Sequence, residues 1–216
     1  MRCIVTAGPT YEPLDEVRRL TNFSTGRLGS ELANFLAARG NEVVLLIGEQ
    51  ATYRGENHAG QVETFTTTAD LRERLRALGR GPAQAVFHAA AVSDFTFGKI
   101  WRQGPGGELK KIKSGKISSA EGSLLAELLP TPKILPELRQ WFPKARLAGW
   151  KFEVEGNRTE AFRRAEKQMA ECLTDACVAN GPAYGEGFGL ITREGKRTHL
   201  ADAAALFEAL AGFTQR

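Results

Sequence analysis

Three glycines and a group of short polar residues near the start of the 216-residue chain have the types and spacing to hold a phosphate. Cys3, Ile4 and Val5 form a short apolar run that reads as a buried strand, and Gly8 closes it. Gly26 and Gly29 stand where an amphipathic helix begins, with Leu32, Ala33, Phe35 and Leu36 apolar along residues 30–38. A strand, a glycine-containing turn and a helix start present unpaired backbone N–H groups to an anion. Ser24 and Thr25 are residue types that cap such a helix. The link from Gly8 to Gly26 is longer than the single tight turn of a dinucleotide fingerprint. A capped helix after an irregular loop is the plain alternative.

The elements that must position these residues follow from the apolar pattern. Residues 43–48 and 85–91 are continuous apolar runs, the signature of parallel strands buried on both faces. Further strands are predicted at 62–65, 146–152 and 176–179, and helices at 69–78, 133–141, 158–172 and 203–213. Residues 188–192 and 198–200 read as a hairpin around Arg193, Glu194 and Gly195. This alternation predicts an α/β fold, a doubly wound, mostly parallel Rossmann-like sheet forming one domain over 1–216. Residues 96–121 break the pattern. They are rich in Gly, Lys and Ser with no period, and with a short strand at 124–129 they form an excursion over about 96–130.

In such a sheet, ligands bind beyond the carboxyl ends of the strands. Four ends here carry polar or glycine-rich sequence: Gly8, the run Ala91-Val92-Ser93-Asp94, the run Trp150-Lys151-Phe152, and Asn180-Gly181. They are expected to converge.

Composition excludes several classes. The net charge of +4 suits small anionic substrates, and without a run of five basic residues an arm tracking nucleic acid is not indicated. No apolar run approaches a membrane span, and no signal peptide precedes the first strand. Three cysteines without a C-x-x-C favour core thiols and a cytoplasmic location. The scattered His58, His88 and His199 suggest no metal site.

The order Gly8, Pro9, Thr10, Pro13, Asp15, Val17, Arg18, Asn22, Ser24, Gly26, Gly29 resembles the N-terminal signature of the phosphopantothenoylcysteine synthetases. These enzymes join phosphopantothenate to cysteine in coenzyme A biosynthesis. The run Ala89-Ala90-Ala91-Val92-Ser93-Asp94-Phe95 is similar to the family's nucleotide-facing element, which implies that Asp94 meets base or ribose. Lys116-Ile117-Ser118-Ser119 resembles its K-I-x-S motif, whose lysine contacts triphosphate; Lys99 and Lys113 compete for that match, and residues 97–112 look like extra sequence. Pro132-Lys133-Ile134-Leu135 resembles P-K-x-L, a helix start near the nucleotide. Trp150-Lys151-Phe152-Glu153 resembles F-K-L-E, with Trp150 keeping an aromatic face for the base. Lys167 and Asn180 match two further contacts, with Gly181 and Pro182 departing from the pattern.

The resemblance implies a two-step ligation. The carboxylate of 4'-phosphopantothenate attacks the α-phosphate of CTP or ATP, with Mg²⁺, and the amine of cysteine then displaces the nucleotide. Asn22 is implied to hold the acyl intermediate. The start of the first helix, from Ser24 and Thr25 to Gly26 and Gly29, takes the substrate's phosphate. The resemblance further implies a homodimer through the 96–130 excursion, which carries Ile100, Trp101, Ile112, Ile117, Leu124 and Leu125. Many bacterial members carry a flavin-dependent decarboxylase upstream; this chain begins at the synthetase strand, so a stand-alone form without flavin is expected. Two other readings are an NAD(P)-dependent short-chain dehydrogenase and a non-catalytic nucleotide-binding module. The dehydrogenase needs a Tyr-x-x-x-Lys pair, and Tyr11, Tyr53 and Tyr184 are followed four residues on by Asp15, Asn57 and Phe188.

Overall fold

The computed structural model describes residues 1–112, 115–118 and 122–214. Its centre is an eight-stranded sheet. Six strands are parallel: β1 (Arg2–Ala7), β4 (Glu42–Gly48), β5 (Gln61–Phe65), β6 (Ala85–His88), β10 (Arg146–Phe152) and β11 (Ala176–Asn180). At one edge β12 (Phe188–Thr192) and β13 (Arg197–Leu200) add antiparallel. The spatial order is β13-β12-β11-β10-β6-β1-β4-β5. The chain therefore runs outward from β1 through β4 to β5, then returns to the other side of β1 at β6. That reversal makes the crevice between β1 and β6 the topological switch point, where open α/β sheets bind ligands.

The apolar runs become strands because both faces are covered. On one face Val5, Leu45, Phe87, Ala148 and Val178 pack with α1 (Arg27–Ala38) and α5 (Ala203–Thr214). On the other, Ile4, Leu46, Val86 and Leu147 meet α2 (Thr68–Leu78) and α3 (Leu138–Trp141) through Leu71, Leu75 and Leu138. Beside them α4 (Arg158–Cys172) covers β11 through Ala161 and Ala165. Two of the helices start as their sequences demand: the side chains of Thr67 and Asn157 accept from the N–H groups of Asp70 and Glu160.

Four expectations change. Neither Ser24 nor Thr25 takes the cap position of α1; Gly26 holds it with φ 81 and no side-chain cap bond, and the helix begins at Arg27, whose N–H the Thr25 hydroxyl accepts from outside that position. The strand expected through residue 91 stops at His88, and the alanines after it hydrogen-bond to β1 and its loop instead. The helix expected from residue 133 begins as a 3₁₀ turn, Leu135–Glu137, before α3; Pro136 disfavours helical backbone at the residue before it. The described part of the excursion forms a three-stranded antiparallel sheet, β8-β7-β9, of β7 (Phe95–Gln103), β8 (Leu109–Ile112) and β9 (Ser123–Pro130). Among the described residues no layer of helix covers it, so neither face needs a clean apolar alternation, and the sequence shows none. Among the apolar residues expected to stand exposed there, Ile117 is buried and Ile100, Trp101, Ile112 and Leu124 are half-buried. Phe95, Leu109, Leu125, Leu128 and Leu129 are the exposed ones. A short hairpin of β2 (Tyr11–Pro13) and β3 (Arg19–Thr21) in the first loop was also not anticipated; three-residue strands leave no pattern to read.

Candidate functional site

The polar ends of β1 and β6 meet at the switch point, and those of β10 and β11 follow along the same edge of the sheet. Gly8, with φ 78, turns the chain out of β1, and Gly26 packs on it. A Cβ on Gly29 would lie 2.7 Å from Ala7 Cβ and 3.0 Å from Thr6 O, so glycine there lets α1 sit directly on β1. Thr25 helps hold this turn: its carbonyl accepts from Thr52 and Tyr53 N–H, and its hydroxyl accepts from Arg27 N–H at 3.3 Å. Ser24 is half-buried beside it. The long link thus brings back together what a single tight turn would have kept adjacent.

Across the crevice, the alanines after β6 are stitched to β1 and its loop. Ala89 N–H donates to Thr6 O, Ala90 N–H to Thr6 Oγ1, and Ala91 N–H to Gly8 O. Asn22, exposed in the loop before α1, donates from Nδ2 to Ala91 O at 3.1 Å. Two motifs far apart in sequence therefore touch at Asn22 and Ala91. Thr10 Oγ1 accepts from Ser93 N–H at 2.8 Å, and Thr131 bonds to Asp94 O and Ser93 O, so the chain is fixed where it enters and leaves the 96–130 excursion, which forms a flap. Asp94 and Lys133 form an exposed ion pair with each other. Pro132 is exposed, whereas Ile134 is buried in the core between α2 and α3 and Leu135 packs against that core, so the side chains of 134 and 135 face inward.

The residue segment around Lys116 is held against the first loop. Glu16 N–H donates to Gly115 O at 2.8 Å and Ile117 N–H to Asp15 Oδ2 at 3.1 Å. Lys116 itself is exposed. Of its competitors, Lys99 lies exposed on β7 and Lys113 falls outside the described residues.

At the other side of the crevice, Trp150 is half-buried, and its Nε1 is buried with no partner among the described residues; the same is true of Asn180 Oδ1. Both side chains lie on neighbouring strands, since Trp150 pairs with Val178 and Phe152 with Asn180. One orphan donor and one orphan acceptor near the strand ends are the mark of a place that a polar ligand completes. Phe152 is exposed beside them. Lys151 is paired with the buried carboxylate of Glu153 at 3.3 Å, which Arg164 also grips. Lys167 lies on the solvated side of α4, 3.8 Å from Glu171, and among the described residues no contact draws it to the strand ends.

A family model described as the DNA/pantothenate metabolism flavoprotein C-terminal domain matches residues 1–205. The chain belongs to this family. It is 32% identical over 180 residues to the coenzyme A biosynthesis bifunctional protein CoaBC of Thermococcus kodakarensis, covering 83% of this chain and 41% of that protein. It is 25% identical to human phosphopantothenate–cysteine ligase, covering 91% of this chain and 77% of that protein. A crystal structure of the DNA/pantothenate metabolism flavoprotein from Streptococcus pneumoniae superposes with a TM-score of 0.85 at 26% identity, covering 100% of this chain and 98% of that one. The chain spans less than half the length of the bifunctional relatives it matches.

Within this flavoprotein-domain frame, two groups that the sequence did not single out stand at the site. Asp15 and Arg18 of the signature are a structural clamp; their fixed place in the motif was the available signal. His88 is the other. It is buried at the end of β6, its Nδ1 2.9 Å from Thr6 Oγ1, and burial lowers its pKa to about 4. A neutral imidazole is thereby built into the floor of the crevice. Burial likewise pushes the thiols of Cys3 and Cys177 up to about 11 and about 12, which removes them as nucleophiles.

The His88 shift has a measurable consequence. Between about pH 6.5 and 4 the unfolded chain binds a proton there that the folded protein excludes, so stability falls as pH falls. From pH 7 to 5 this one group removes about 2 kcal/mol. His88→Gln, which can still bond Thr6 but does not titrate, is expected to lose that part of the slope in urea unfolding at the two pH values. An identical slope in the variant would show that His88 titrates normally.

Proposed function

We propose that this chain is a phosphopantothenate–cysteine ligase. The observation that carries the reading is the contact of Asn22 with Ala91 across the β1/β6 switch point. It joins the proposed acyl-holding residue to the proposed nucleotide-facing run. The carboxylate oxygen of 4'-phosphopantothenate attacks the α-phosphate of CTP or ATP, and pyrophosphate leaves. The amine of cysteine then attacks the acyl carbon, and the nucleoside monophosphate leaves with the former carboxylate oxygen. No protein nucleophile is required, so catalysis rests on orientation and on groups aimed at developing charge.

In this reading the backbone at Gly26 and the start of α1 receives the substrate's phosphate. Asn22 Nδ2 exchanges the Ala91 carbonyl for the acyl oxygen of the intermediate. Lys116 approaches the triphosphate from the flap, with Lys151 as a second cation. The orphan atoms of Trp150 and Asn180 support a polar ligand, the nucleotide, against those strand ends. Among the described residues no cluster of three or more His, Cys, Asp or Glu side chains could cage Mg²⁺; a metal carried in by the triphosphate needs none.

The dehydrogenase reading fares worse. Tyr184 is buried and bonded to His199 rather than presented beside a lysine. Purified protein given 4'-phosphopantothenate, cysteine and either CTP or ATP is expected to release pyrophosphate and nucleoside monophosphate in equal amounts with the amide product. Oxidation of NADPH without either nucleotide product would favour the dehydrogenase instead.

The exposed apolar residues of the flap, with Val17, Leu20 and the fully exposed Phe23 of the first loop, support a homodimer through this region. An apolar patch of that kind is seldom left open on a monomer, and two-fold pairing is the commonest way to cover it. Sedimentation equilibrium at micromolar concentration is expected to give twice the 23.6 kDa chain mass. A fully active monomer would contradict the dimer.

A further inference from the structure

The first loop and the flap are tied together at one carboxylate. Asp15 sits in the turn between β2 and β3, and its side chain has 0% exposed surface. Its two oxygens have separate duties. Oδ1 accepts from the N–H groups of Val17 at 3.0 Å and Arg18 at 2.8 Å, which closes the turn on itself. Oδ2 accepts from Arg18 Nε at 3.1 Å, from Arg18 Nη2, and from Ile117 N–H at 3.1 Å. Arg18 Nη2 also donates to Ile117 O, and Glu16 N–H to Gly115 O. The peptide groups on both sides of Lys116 are therefore bonded to residues 15–18. The Ile117 side chain is buried at 4% exposure, so the segment is anchored by packing as well. Five donors saturate a carboxylate, which has about four lone-pair sites. The Arg18 guanidinium beside it and these N–H groups hold the Asp15 carboxyl well below the usual carboxylate range.

We propose that Asp15 is a positioning residue for Lys116: through Ile117 it fixes the backbone from which the lysine reaches the triphosphate. This rests on the reading of Lys116 as a phosphate contact. The physical reason is entropic. A segment already ordered delivers its ammonium without losing backbone freedom at the moment of binding, whereas a released one must order each residue first. Asp15 itself touches no substrate. Lys99, on a β7 whose nearest carboxylate contact is Lys99 N–H to Glu127, has no equivalent tie to the first loop among the described bonds.

Asp15→Asn separates the two duties. Its single remaining carbonyl oxygen can still accept from Val17 and Arg18 N–H, but an amide NH₂ then faces the Arg18 and Ile117 donors. The expected results are amide exchange at Ile117 at least tenfold faster, together with a lowered melting temperature from the lost ion pair. Calorimetry with a non-hydrolysable triphosphate analogue is expected to give about tenfold weaker binding. In a Lys116→Ala background the same change is expected to have no further effect, because the two residues act in series. A protected Ile117 amide with unchanged affinity overturns the proposal, and so does an equal loss in the Lys116→Ala background, which means general disruption. If Lys116→Ala alone binds the analogue normally, the phosphate reading of Lys116 fails and the positioning role of Asp15 with it. If Lys116→Ala weakens binding and Asp15→Asn does not, the positioning role alone fails. Should Asp15→Asn not fold, Arg18→Lys keeps the charge, loses the fork that reaches Ile117 O, and enters the same cycle with the same outcomes.

Discussion

Asn22→Asp is expected to leave triphosphate consumption in place and to slow amide formation about 10²–10³-fold, the usual cost of removing one donor from a developing oxyanion. The structure gives the reason in two parts. Asn22 Nδ2 is a donor now resting on Ala91 O, and an aspartate has no N–H to offer either that carbonyl or an acyl oxygen. It also places a negative charge where negative charge must develop. The acyl-nucleotide should then accumulate and be visible by mass spectrometry in the presence of cysteine. Turnover at the unmodified rate would remove Asn22 from the site.

Lys116→Ala is expected to weaken triphosphate binding more than Lys99→Ala or Lys113→Ala. A lysine on a phosphate makes a charge-assisted contact of roughly 1.5–3 kcal/mol, or about ten- to a hundredfold in affinity. What distinguishes Lys116 is the backbone on either side, bonded through Gly115 and Ile117 to residues 15–18. Lys99 lies exposed on β7, where its N–H is bonded to Glu127 of the same sheet rather than to the first loop. Equal losses at all three positions, measured by calorimetry, would reduce the flap to a diffuse basic surface.

The parts of this architecture that were legible in the sequence are those where one physical rule acts alone. Strands β1, β4, β10 and β11 are buried on both faces, so their apolar runs are uninterrupted. The spacing of Gly8, Gly26 and Gly29 was readable because close backbone approach admits no side chain. Of the flap only β9 was legible, as the short strand expected at 124–129; β7 and β8 were not, because among the described residues no helix covers them and nothing imposes a period. Ser24 and Thr25 misled for a related reason. They are good capping types, but the chain reaches α1 through the left-handed Gly26, whose position is set by Gly8 and Ala51. Lys167 matched a motif yet lies paired with Glu171 in solvent, because a helix lysine is solvated unless something draws it in. Asp15 carried no role in the sequence reading because its decisive partner, the Ile117 amide, is a backbone group a long way down the chain.

The most direct test withholds cysteine. Protein, 4'-phosphopantothenate and CTP or ATP are mixed at comparable concentrations, and the quenched mixture is weighed by mass spectrometry. The account predicts a species with the mass of the two substrates less pyrophosphate, formed with one pyrophosphate each and converted to the amide with release of nucleoside monophosphate when cysteine is added. An acyl phosphate accompanied by nucleoside diphosphate, or no acylated species with either triphosphate, would contradict it.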